Sequence, residues 1–160
     1  MAVDMFIKVG TIEGESVDKV HKGKTDVLAW SWGMSQSGTT HQGGGAGAGK
    51  VSVQDISFTK YVDKSTTVLM QACCKGTHFD DAVLIVRKAG QTPLEYLKIT
   101  MKEVIVTSIS TGGSGGEDRL TENVTLNFGE FKIEYQEQDA KGGVKSKPDF
   151  AWDIAANADA

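Results

Sequence analysis

The sequence predicts a mainly β protein, a small antiparallel β-barrel of about nine strands with one short α-helix packed outside and one long loop. Three observations carry the prediction. Leu120, Val124, Leu126 and Phe128 are apolar at even positions, while Thr121, Asn123, Thr125 and Asn127 are polar at odd ones. A period of two marks a strand with one buried face. At Gly129 the phase flips, and Phe131, Ile133 and Tyr135 carry the apolar face. Such a flip at glycine predicts a bulge or sharp bend that turns a barrel corner, with an unusual backbone angle at Gly129. The second observation is a single helical stripe, Val68, Leu69, Ala72 and Cys73, with Asp63 or Ser65 as cap and Gly76 as stop. The third is Gly33–Gly49, a stretch rich in Gly, Ser and Thr that is long for a connection in a compact domain.

Taken in order, Met5, Ile7 and Val9 alternate with Phe6 and Lys8 in a first strand that Gly10 ends, and polar Thr11–Thr25 is a connection. Val27–Trp32 is the second clear strand. Leu28, Trp30 and Trp32 fall on one face and Val27, Ala29 and Ser31 on the other. Trp30 and Trp32 are too large to leave in water, so they are expected in the core or at a subunit interface, with Phe128 and Trp152 as further core groups. Lys50–Tyr61 is a strand whose phase slips near Gln54–Asp55, which a bulge explains. Ala82–Val86 is apolar throughout, as a fully covered strand is, and Ala89–Pro93 is a turn. Leu97, Ile99 and Met101 form one strand, Glu103–Ser110 another, and four glycines among residues 112–116 make a loop. Glu137–Lys147 reads as a solvated loop. Phe150, Trp152 and Ile154 form a last strand before an alanine-rich tail.

At 160 residues the chain suits one domain spanning residues 1–160. Hydrophobic content of 39% and charge of 24% are those of an ordinary globular protein. The net charge of −4 comes without a basic patch, which argues against nucleic acid as partner. No apolar run approaches spanning length, so no membrane insertion is expected. The N-terminus lacks the basic and apolar regions of a classical signal peptide, which places the chain in the cytoplasm. Adjacent Cys73 and Cys74 close only a strained ring and read as two reduced cysteines on the helix.

No catalytic residue, cofactor site or metal site emerges. His21, His41 and His78 lack metal-ligand spacing, and Ser37 and Ser114 lack the context of a nucleophile elbow. Gly44, Gly49 and Lys50 approach a phosphate-binding loop. However, Val51 stands where that motif needs Ser or Thr, and a strand rather than a helix follows. Glu117 and Asp118 beside Arg119 read as a local ion pair or exposed turn. Tyr61, Tyr96 and Tyr135 are explained by packing, because a barrel of this strand number is just wide enough for its own side chains.

Four blocks resemble one family: Met1–Gly10, Asp26–Gly38, Gly47–Tyr61 and GGSGGEDRLTENVTLNF at Gly112–Phe128. In order and in wording they are similar to the haemolysin-coregulated protein (Hcp) family, tube subunits of bacterial type VI secretion systems. The resemblance implies a structural rather than an enzymatic role. Six copies form a ring with a central channel, and rings stack into a tube. A contractile sheath drives that tube, tipped by a spike protein, into a target cell. Family rings also hold secreted effectors in the channel. The chain would then be cytoplasmic before assembly and secreted afterwards without a classical signal peptide. The resemblance also makes the long loop a projection that helps rings dock, through Gly43, Gly44, Gly45, Ala46, Gly47, Ala48 and Gly49. Ala29 and Ser31, and at the rim Ser114, become candidates for the channel wall. The alternative reading is a monomeric β-barrel carrier of a small hydrophobic ligand.

Overall fold

The computed structural model describes residues 3–38, 49–90 and 93–160. The ring-docking residues Gly43 to Ala48 therefore lie outside the described residues, as does most of the near-miss phosphate loop. The strands are β1 (Val3–Val9), β2 (Thr25–Asp26), β3 (Ala29–Ser31), β4 (Met34–Ser35), β5 (Ser52–Val53) and β6 (Ile56–Tyr61). After helix α1 (Ser65–Lys75) come β7 (His78–Lys88), β8 (Leu94–Thr111), β9 (Thr121–Asn127) and β10 (Glu130–Tyr135). The chain ends with β11 (Glu137–Gln138), β12 (Val144–Ser146), β13 (Asp149–Asp153) and β14 (Ala158–Asp159).

The organising element is β8. Residues 94–111 contain no Gly or Pro and are rich in β-branched side chains, so nothing interrupts the strand. It runs for 18 residues where the alternation predicts two separate strands. Its neighbours are β7 on one side and, on the other, β10 along Leu97–Lys102 and β9 along Ile105–Thr111. The apolar phase of β8 changes between Met101 and Val104, and Glu103 absorbs the change in a left-handed conformation, φ 55°. The strained backbone of this bend thus belongs to Glu103. Gly129 opposite it lies outside the left-handed region, and its N–H donates to the Lys102 carbonyl at 3.0 Å. The phase flip at Gly129 is present, but two strands bend together and the one without the glycine takes the unusual angle.

From β8 the sheet curls both ways, through β7 and β1 to β2, and through β9 and β6 to β3. Residues 25–31 join the two arms. Thr25–Asp26 pairs with β1 and Ala29–Ser31 with β6. Between them the Val27 N–H donates to Met5 and the Leu28 N–H to Thr59, at 2.9 and 2.8 Å. The ladder is interrupted at this joint, so the sheet is barrel-like without being a continuous closed ring. The change of partner also resets the side-chain phase. Val27, expected on the small-residue face, is buried at 5% exposure, and Leu28, expected beside the tryptophans, is exposed.

Inside the curl, Ile7, Ile56, Phe58, Leu84, Ile99, Met101, Val124 and Leu126 form a closed apolar core. Each such side chain contributes roughly 1.5–3 kcal/mol on leaving water. Phe128 is buried, whereas Trp30, Trp32 and Trp152 are half-buried against the core. Phe6 is buried on the opposite side of β1 from Ile7, because His21 stacks on its ring at 4.7 Å and Arg87 covers it. Helix α1 packs on β8 through Leu69 and Ala72. Val68 stays exposed, and Gly76 at φ 63° ends the helix by donating to the Ala72 carbonyl. Asp63 performs the capping, accepting from the Ser65 N–H at 2.9 Å.

Two short pairings were not evident from alternation. β4 and β5 form a ribbon at the base of the glycine-rich loop, and β11 pairs with β12 inside the expected solvated loop. No helix among the described residues is long and apolar enough to cross a membrane.

Candidate functional site

The outer face of β3, β6, β9 and the second half of β8 is built from small polar side chains. The cause is the same alternation that fills the core. With Phe58, Val124 and Leu126 turned inward, Ser57, Thr59, Asn123 and Thr125 must point outward. On β8 a bulge between Val106 and Ser108 places Thr107 and Ser108 both on this face.

The pairing register aligns these side chains in two rows across four strands. One row is Ser31, Ser57, Thr125 and Ser108; the next is Ala29, Thr59, Asn123 and Ser110. Neighbours in the rows bond to each other. Ser31 and Ser57 hydroxyls lie 3.1 Å apart, and Thr59 donates to the Asn123 carbonyl oxygen at 2.7 Å. Thr125 Oγ1 lies 2.7 Å from both Thr107 and Ser108. Asp55 borders the rows, its carboxylate accepting from Thr107 Oγ1 and Asn127 Nδ2, each at 2.8 Å. The result is an uncharged wall of small side chains with one carboxylate at its edge.

Ala29 and Ser31 both lie exposed on this wall. Ser114 is exposed too, but in the connection between β8 and β9 and outside the two rows. Gly49 is exposed at the base of the long loop. Sequence reasoning missed Ser57, Thr59, Thr107, Ser108 and Asp55. Asn123 and Thr125 were legible as outward residues of their strand, but only the register joins them to Ser31.

Elsewhere several buried or half-buried titratable groups are paired and hold the fold. Lys60 and Glu122 form an ion pair with both side chains fully buried, and Asp63 lies 3.0 Å from the same amine. Arg87 binds Asp18 at 2.6 Å and Asp4 at 3.1 Å. The hydrogen bond from Arg87 holds the Asp18 carboxyl well below its ordinary range. His21, an unassigned histidine in the sequence, is buried and bridges Glu95 at 2.5 Å and Lys24 at 2.8 Å. Burial lowers the Lys24 amine. Arg119 pairs with neither Glu117 nor Asp118; its guanidinium lies 3.7 Å over the Tyr61 ring instead. Among the described residues no cluster of His, Cys, Asp and Glu is placed to hold a metal ion.

Among the described residues, a curled antiparallel sheet with one helix and a hydroxyl-rich outer face defines a β-barrel-like protein. The family model described as type VI secretion system effector, Hcp, matches residues 6–135. Protein Hcp1 of Pseudomonas aeruginosa is 62% identical over 162 aligned positions, covering 100% of both chains. The crystal structure of Hcp1 from Salmonella typhimurium superposes with a TM-score of 0.83 at 39% identity, covering 100% of both chains. The structure of another type six secretion system protein reaches a TM-score of 0.93 at 28% identity, covering 99% of this chain and all of the other. The chain belongs to the Hcp family of type VI secretion proteins.

Proposed function

We propose that the chain is a structural tube subunit, assembling into hexameric rings that stack and are propelled from the cell with the spike and sheath proteins of its secretion system. In this reading the hydroxyl wall faces the channel, where effectors are carried, and no reaction is catalysed. The observation that carries it is the pair of cross-strand rows on an outward sheet face. A face left to bulk water has no need of side chains so uniformly small and neutral. A lumen does, because cargo must approach closely and still be released. Apolar side chains remain for contact between subunits: Met34, Val51, Val53, Phe150 and Trp152 line a groove of about 400 Å³ beside the loop base. The glycine-rich loop above that base would dock one ring on the next.

Ser31→Gln tests the wall. A solvent-facing strand position moves stability by no more than about 0.5 kcal/mol, so folding and ring mass should not change. The added amides would narrow one level of the channel, and an effector that co-purifies with wild-type rings should be lost. Equal retention by both rings removes Ser31 from the wall. The rival reading, a monomeric carrier, draws on the same apolar groove and predicts the mass of a single chain.

A further inference from the structure

We infer that Asp55 sets the charge preference of the wall and selects cargo presenting lysine or arginine side chains. The inference rests on the wall facing a channel, and it starts from proton bookkeeping. A hydroxyl has one proton to donate. Thr107 gives its proton to Asp55 Oδ2, so Thr125 must donate to Thr107, and Ser108 to Thr125. Three hydroxyls on two strands thus form one polarised chain ending at a carboxylate. Asn127 holds the second oxygen from the side. Chains of this kind strengthen each member and fix the terminal group in place.

A carboxylate has about four acceptor sites, and these contacts use two. Among the described residues no other side chain bonds to the carboxylate, which leaves the remainder for an incoming donor. Asp55 is only half-buried, so that donor can reach it. The rows beside it carry hydroxyl, amide and methyl groups, which bind either sign of charge weakly. The cation of β6 itself, Lys60, is turned into the core and paired with Glu122, and the next one along the strand is Arg119, stacked on Tyr61. Tyr61 is six residues from Asp55, about 20 Å along an extended strand. That exceeds the screening length of about 8 Å at physiological salt, so Arg119 does not neutralise the carboxylate. Repeated around a ring, Asp55 adds one acidic level beside the neutral rows. Arginine and lysine donate charge-assisted bonds to such a group, and an acidic cargo surface is repelled.

The test uses purified assembled protein, with ring mass read by native mass spectrometry on the same samples. The probes are a fluorescent lysine-rich peptide and its glutamate counterpart, with binding followed by anisotropy. Wild-type rings should prefer the lysine peptide by about tenfold or more, as one charge-assisted bond gives. Asp55→Asn should bring the two affinities together, and Asp55→Glu should restore the preference. Raising the salt should erase it in the wild type, a readout that remains if Asp55→Asn folds poorly. Intact rings with the same preference in Asp55→Asn overturn the assignment and leave the tube reading standing. Wild-type rings without a preference overturn it equally. A single-chain mass overturns the ring reading and the acidic level with it.

Discussion

Replacing Lys60 by Met keeps the unbranched stem, one heavy atom shorter, and removes its charge, and it should be among the most damaging single changes in this chain. The Lys60 and Glu122 side chains are fully buried, and Asp63 is 3.0 Å from the amine. Without Lys60, two carboxylates are left side by side with no cation. Glu122 keeps a hydrogen bond from Thr66 at 2.7 Å on Oε1, while Oε2 already lacks a partner. Breaking a buried pair from one side costs about 3–5 kcal/mol. For a chain of this length each kcal/mol moves the melting midpoint by about 2–4 °C, so a fall of about 10 °C is expected. Glu122→Leu should sit at the lower end, near 3 kcal/mol, because Asp63, 3.0 Å from the amine, still neutralises Lys60. The double variant Lys60→Met with Glu122→Leu should recover most of the loss, since apolar pairs of similar volume replace buried ion pairs at little or no cost. Urea unfolding of the four proteins gives the cycle. A Lys60→Met loss under about 1 kcal/mol, or a double variant equal to the sum of the singles, would refute the reasoning.

Asp18→Asn should destabilise the fold at neutral pH. Arg87 depresses the folded-state carboxyl below its ordinary 3.8. The stabilisation is therefore present above that value and lost as the pH falls below it, so the gap to wild type should close in acid. A gap independent of pH in urea titrations would contradict the assignment. At the bend, Glu103→Val should cost about 1–2 kcal/mol because a β-branched residue resists the left-handed region, whereas Glu103→Gly should not. Gly129→Val should be the milder change, since its new Cβ meets the mobile end of Glu103, Oε2 at 2.5 Å. Calorimetry that reverses this order would relocate the strain. Trp30→Ala should cost about 2–3 kcal/mol, less than the 3–5 of a fully buried aromatic, and an unchanged melting temperature would show that its packing is dispensable.

Alternation made the strands around Leu126 and Phe131 legible because one face of each packs in the core. It misled at Val27–Leu28, where the chain changes partner from β1 to β6 and the phase resets without a glycine or proline to announce it. It divided β8 in two, because a left-handed glutamate leaves no mark in composition. The buried Lys60 and Glu122 looked like ordinary polar positions of half-exposed strands, since each finds its partner 62 residues away. Of the outward face, Ala29 and Ser31 were legible as small residues opposite Trp30, and Asn123 and Thr125 as polar residues of their strand. Its other members come from strands whose register depends on long-range pairing, which single-sequence periodicity does not contain. The family, in contrast, was readable from Gly112–Phe128 and three further blocks before any geometry was known.

If the chain is a tube subunit, the hydroxyl wall faces the channel of a ring. Cryo-electron microscopy of the purified protein tests it most directly. Hexameric rings with an open centre and Ser31, Ser57 and Thr125 on the inner wall are expected. A single 17.1 kDa chain, or rings with those residues on the outer surface, would contradict it.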